Sequence, residues 1–137
     1  MYLLDTNIIS YWMRGDPQLI NNIKSYSPSD LSLSTITLAE IYYGIEKSPI
    51  KKKEWLLKIE YIKSELDIFP FNEQAAIKYG AIRAALEKQG KPISERDTQI
   101  ASIALANKLC IVTHNTKEFG RIPKLKVEDW EKKGVTS

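Results

Sequence analysis

At 137 residues, 43% apolar and 27% charged, the chain has the size and composition of one globular domain, which excludes disordered and collagen-like classes. Twenty Lys and Arg against 17 Asp and Glu leave a net charge of +3, a balance that permits a nucleic-acid partner without requiring one. One Cys and one His exclude an internal disulfide, a zinc centre built from nitrogen and sulfur ligands, and a two-histidine nuclease.

Met1-Tyr2-Leu3-Leu4-Asp5 lacks the basic region and the long apolar stretch of a signal peptide. No apolar run approaches the ~18 residues of a membrane span, so the chain reads as cytoplasmic with no membrane partner. Leu3-Leu4 predicts a short buried strand ending at Asp5, followed by a helix from Asn7 to Met13. Asp16-Pro17 starts a second helix, with proline at its first position. Leu31 to Ser34 reads as another strand. Leu38, Ile41, Tyr42 and Ile45 recur at i, i+3, i+4, i+7 and mark the helix after it.

Beyond Pro49, the residues Trp55, Ile59, Ile62 and Leu66 form the stripe of a further helix. Ile68-Phe69 is a short strand closed by Pro70, and Asn72 to Gln89 is a helix stopped by Gly90 and Pro92. Ser94 opens a helix through Ala106. Leu109 to Thr113 is the clearest buried strand, with Cys110 expected to be a buried thiol, and a last strand is expected around Leu125 to Val127. Strands alternating with helices define an α/β fold with a mainly parallel central sheet of about four to five short strands. Residues 1–137 are taken as a single domain.

In open parallel sheets, ligands bind beyond the carboxyl ends of the strands. Asp5 follows the first strand, Glu40 lies early in the helix after the second, and Asn115 and Glu118 follow the Cys110 strand. Asp97 lies in the first turn of the helix leading into that strand. Each has a plain alternative. Asp5 is a possible helix cap, Thr37-Leu38-Ala39-Glu40 is a capping box, Ser94-Glu95-Arg96-Asp97 resembles one, and Glu118 fits a solvated surface acid. Capping alone does not account for acids following successive elements of one sheet edge. A first-turn carboxylate is also kept ionised by the helix dipole, so the two readings are compatible. Carboxylates ~4 Å apart repel by about 4 kcal/mol at an effective dielectric near 20, a cost that a divalent ion relieves. Oxygen donors without His or Cys favour Mg²⁺ or Mn²⁺.

Tyr2-Leu3-Leu4-Asp5-Thr6-Asn7-Ile8 resembles the opening of PIN-domain nucleases, specifically the VapC toxins of VapBC toxin–antitoxin pairs. Ser34 to Gly44 resembles the second acidic motif of that family, Asp97 to Ser102 the third, and Thr113 to Phe119 the segment bearing the fourth polar group. The likeness continues through Glu128-Asp129-Trp130. It implies a PIN-like fold, Mg²⁺-dependent RNA cleavage with Mn²⁺ substituting, a cognate VapB-like antitoxin and a homodimer. It also implies Asp5 and Asp97 as principal metal ligands, Glu40 completing the acidic site, and Thr6 orienting ligands or water.

Two places depart from the family pattern. Asn115 stands where many relatives carry Asp, so Glu118 is expected to supply the missing charge and a second metal is in doubt. Ile93-Ser94-Glu95-Arg96 lacks a Gly-Pro often found before the third acid. The segment from Ile82-Arg83-Ala84 to Pro92-Ile93 is most like family members that cut tRNA anticodon loops.

Phosphate contacts are expected from Arg14, Lys51, Lys52, Lys53, Lys91, Arg96, Lys117 and Arg121. Each is otherwise a solvated surface charge; Arg96 and Lys117 stand out as neighbours of site residues. Trp12, Tyr42, Tyr43 and Trp55 supply apolar bulk for the core and for a partner groove. Two rivals remain. An aspartyl phosphatase usually wants D-x-D-x-T, and Asn7 stands where its second Asp belongs. A catalytically inactive PIN-like RNA- or protein-binding module has Asn115 as its support.

Overall fold

The computed structural model describes residues 1–130, and the end of the expected domain, residues 131–137, lies outside them. In β1 (Tyr2–Leu4), Leu3 and Leu4 are both fully buried but enter different cores, because successive strand side chains point to opposite faces. Ile111 and Val112 of β4 (Cys110–Val112) divide in the same way. Burial on both faces favours continuous apolar runs, the form both segments take in the sequence.

Helices α1 (Thr6–Met13) and α2 (Pro17–Lys24) lead to β2 (Leu31–Ser34). Then α3 (Thr35–Glu46) and α4 (Lys52–Glu65) lead to β3 (Asp67–Phe69), and α5 (Glu73–Lys88) and α6 (Glu95–Ala106) lead to β4. A single short helix, α7 (Thr116–Phe119), precedes β5 (Val127–Glu128), two residues beyond the expected start of that strand. The five strands form one sheet in the order β3-β2-β1-β4-β5, with every pairing parallel. The chain adds strands in one direction from β1 to β3, then crosses to the far side of β1. The winding therefore reverses between β1 and β4, which opens a crevice beyond their carboxyl ends.

Ile8, Ile9, Leu19, Ile45, Ile59 and Ile62 pack on one face of the sheet. Ile82, Leu86, Ile100 and Ile103 of α5 and α6 pack on the other. The helix ends follow local chemistry. Asp16 accepts from the N–H groups of Gln18 and Leu19 at the start of α2. Gly90 takes φ +70° after α5, where Lys91 N–H bonds back to the Leu86 carbonyl at 2.9 Å.

Some expectations need correction. Ser34, not Thr37, caps α3: its Oγ accepts from Thr37 N–H at 3.0 Å, and the helix starts where β2 ends. Glu40 therefore lies a turn deeper than a capping box would put it. Cys110 is half-buried rather than buried, and burial pushes its thiol up to about 11. Trp12, Tyr42 and Trp55 pack against the first core as expected, but Tyr43 is 65% exposed. Among the described residues, no helix is long and apolar enough to cross a membrane.

Candidate active site

Asp5 leaves β1 at the point where the winding reverses. Its N–H still pairs with the Val112 carbonyl of β4 at 2.9 Å, and its extended backbone makes it the cap of α1. One carboxylate oxygen accepts the Thr6 N–H at 2.7 Å, and the other accepts the Thr113 hydroxyl at 2.8 Å. Asp5 is only 4% exposed. Burial pushes its carboxyl up to about 6, the bonds from Thr113 and Thr6 pull the other way, and the charges of Asp97 and Glu40 add to the rise.

Thr113, immediately after β4, is buried and continues the connection. Its Oγ1 accepts the Asn115 N–H at 2.9 Å, and the Asn115 amide donates to Asp97 Oδ2 at 3.1 Å. A run of hydrogen bonds thus joins Asp5 to Asp97 through Thr113 and Asn115. Asp97 sits in the first turn of α6, where its N–H bonds to the capping Ser94 hydroxyl at 3.1 Å. Burial raises its carboxyl, Ser94 and Asn115 lower it, and the charges of Glu40 and Glu118 raise it further.

Glu40 reaches the same place from α3. Its Oε1 accepts the Thr6 hydroxyl at 2.5 Å, and Thr6 Oγ1 also lies 3.0 Å from Thr37 Oγ1. Its Oε2 is paired with Arg96 Nη1 at 2.6 Å. The acids Asp5, Glu40 and Asp97 therefore gather at one rim, with Thr6 between the first two and Asn115 against the third. Glu118, half-buried in α7, contributes charge near Asp97.

Among the described residues, no three acidic, His or Cys side chains surround one point closely enough, as they stand, to hold an ion. Their hydrogen bonds explain why: Glu40 is turned to Thr6 and Arg96, and Asp97 to Asn115.

The basic residues separate. Arg14 helps line a groove of about 230 Å³ that runs from Thr6 and Glu40 to Trp55. Lys91 and Lys117 are exposed, whereas Arg96 is drawn onto Glu40. Lys52 is engaged with Glu46 at 2.9 Å. The sequence reading missed Thr113, Thr37 and the Arg96 partner. A hydroxyl two residues before Asn115, at a strand end, is the one local signal that pointed to Thr113.

A parallel α/β sheet carrying acids over its reversal point defines a class of protein with an oxygen-donor site at its strand ends. The PIN domain family model matches residues 2–125. A ribonuclease VapC2 of Rickettsia felis is 39% identical over 134 residues, covering 96% of this chain and 99% of that protein. A tRNA(fMet)-specific endonuclease VapC of Salmonella typhimurium is 37% identical, covering 94% and 97%. The structure of VapBC2 from Rickettsia felis, bound to a DNA fragment from its promoter, superposes with a TM-score of 0.87 at 38% identity, covering 94% and 98%. The chain belongs to the PIN-domain family, among its VapC ribonucleases.

Proposed function

We propose that the chain is an endoribonuclease toxin that cuts RNA at the Asp5–Glu40–Asp97 rim with a divalent cation, Mg²⁺, for which Mn²⁺ substitutes. The observation that carries this reading is the convergence of those acids from three elements at the reversal point, coupled through Thr6, Thr113 and Asn115. The donor set fits a hard cation. It consists of oxygens only, and burial and mutual repulsion raise two of the carboxyls, so bound positive charge relieves a real cost. Asp5, Asp97 and Glu40 would hold the cation, with Glu40 turning from its pairing with Arg96.

When bound, such a cation lowers the pKa of a water and neutralises charge on a phosphate. The chain's own residues do the rest. Thr6 and Thr113 fix the Asp5 and Glu40 carboxylates by donating to them, and Asn115 holds Asp97 in place. Glu118 would supply the charge missing at Asn115, a reading supported by its effect on Asp97, whose carboxyl it raises. Arg14, Lys91, Lys117 and a released Arg96 would contact phosphates of a single-stranded loop, whose bases can splay out to be read.

The names of the relatives support RNA as substrate, and the Salmonella relative's name supports a tRNA. A cognate VapB-like antitoxin is the proposed inhibitor, consistent with the Rickettsia felis complex, and the working form is proposed to be a homodimer acting in the cytoplasm. The inactive-module reading is not favoured, because the relatives that match nearly the whole chain are named ribonuclease and endonuclease.

Cleavage of RNA by the purified chain tests the proposal. Activity is expected to require Mg²⁺ or Mn²⁺, to stop with EDTA, and to leave 5′-phosphate and 3′-hydroxyl ends. Cleavage that survives EDTA, or 2′,3′-cyclic phosphate products, would overturn it.

A further inference from the structure

Arg96 is the second residue of α6, in a first turn that also holds Glu95 and Asp97. The positive end of the helix dipole disfavours a cation there, so helix formation does not explain its orientation. The contact that does is with Glu40, Nη1 to Oε2 at 2.6 Å, joining α6 to α3 across the acidic rim. The two partners are unequally held. The Glu40 side chain is 19% exposed and its other oxygen is bound by Thr6, whereas the Arg96 side chain is 64% exposed.

We propose that Arg96 is the resident counter-charge of Glu40 and that a divalent cation enters by displacing it. This rests on the cation-site reading given above and deepens it. With the site empty of metal, the guanidinium offsets one of the converging negative charges. A dication beside the same carboxylate repels the guanidinium and claims its oxygen, and the long exposed arm can swing into solvent without disturbing the core. An ion pair this exposed on one side is weak, which suits a contact that must be given up. Arg96 is thus a positioning residue, setting how tightly the cation is held through Glu40.

Calorimetric titration of Mn²⁺ into the full chain tests this, using the natural protein, Arg96→Ala, Arg96→Lys, Glu40→Gln and the Glu40→Gln/Arg96→Ala double variant. Arg96→Ala is expected to bind Mn²⁺ about fivefold more tightly, the worth of one exposed ion pair. Arg96→Lys keeps the competing charge and is expected to stay within about twofold of the natural protein. In the Glu40→Gln background, loss of Arg96 is expected to change affinity by less than about twofold. Unchanged or weaker binding by Arg96→Ala overturns the proposal while leaving the cation site intact. An equal gain in the Glu40→Gln background also overturns it, since the effect would then be general electrostatics. Absence of Mn²⁺ binding by every protein in the set overturns the cation site and this inference together.

Discussion

Thr113 Oγ1 lies 2.8 Å from Asp5 Oδ2, a buried hydrogen bond that ties the end of β4 to the end of β1 across 108 residues of sequence. The same hydroxyl oxygen accepts the Asn115 N–H, so one atom serves both Asp5 and the loop that carries Asn115. Replacement by Val keeps the shape but removes donor and acceptor together. Thr113→Val is expected to cost about 1–3 kcal/mol, because it leaves buried polar groups unpaired. If Asp5 holds the proposed cation, RNA cleavage is expected to drop by about 10–100-fold, the usual effect of losing a group that orients a metal ligand. Thr113→Ser, which keeps the hydroxyl, should recover most of both. Urea denaturation in EDTA and single-turnover cleavage measure them.

Asp5 carries the clearest pH signature. Its folded carboxyl is raised from 3.8 to about 6, so the folded, metal-free chain holds that proton more tightly than the unfolded one. The ionised side chain therefore costs stability. That cost is absent below about pH 3.8, grows as the pH rises toward 6, and is complete above it. Asp5→Asn removes it, and in EDTA at pH 7.5 the variant is expected to be at least as stable as the natural chain. The gain should be on the order of 1–3 kcal/mol and shrink toward zero near pH 4. Cleavage by the variant is expected to be lost throughout. Thermal melts across pH provide the check, and a gap that does not narrow on acidification would speak against this origin.

Asn115 donates to Asp97 where an acid would repel it. Asn115→Asp removes that donor and adds a like charge beside Asp97 and Glu118. Without metal, the variant is expected to be less stable by about 1–2 kcal/mol. Saturating Mg²⁺ should recover most of that loss, because a cation stabilises the added carboxylate. Denaturant titration with and without Mg²⁺ separates the two conditions. An equal loss in both would show that the amide acts only as a structural bond.

Much of this was legible in the sequence. Leu3-Leu4 and Leu109 to Val112 read as strands because burial on both faces favours unbroken apolar runs, and the acids beyond them followed from where parallel strands end. Ser94 was readable as a cap because its bond to Asp97 N–H is local. Local rules failed where two answers satisfied them. Ser34 and Thr37 are both hydroxyl residues suited to cap the same helix, and the cap fell to Ser34, whose Oγ accepts the Thr37 N–H. The start of β5 was misplaced because a two-residue strand at the sheet edge carries little pattern of its own.

The candidate oxygen donors beyond the strand ends, and the strands and helices that bear them, were readable from the chain itself through periodicity and spacing. That Asp5 would rest on Thr113, that Glu40 would meet Arg96, and that the winding would reverse between β1 and β4 was decided only by folding. Such contacts join segments with no local bond between them. Their energies arise only once the two cores have closed around the sheet and brought the strand ends to a common edge.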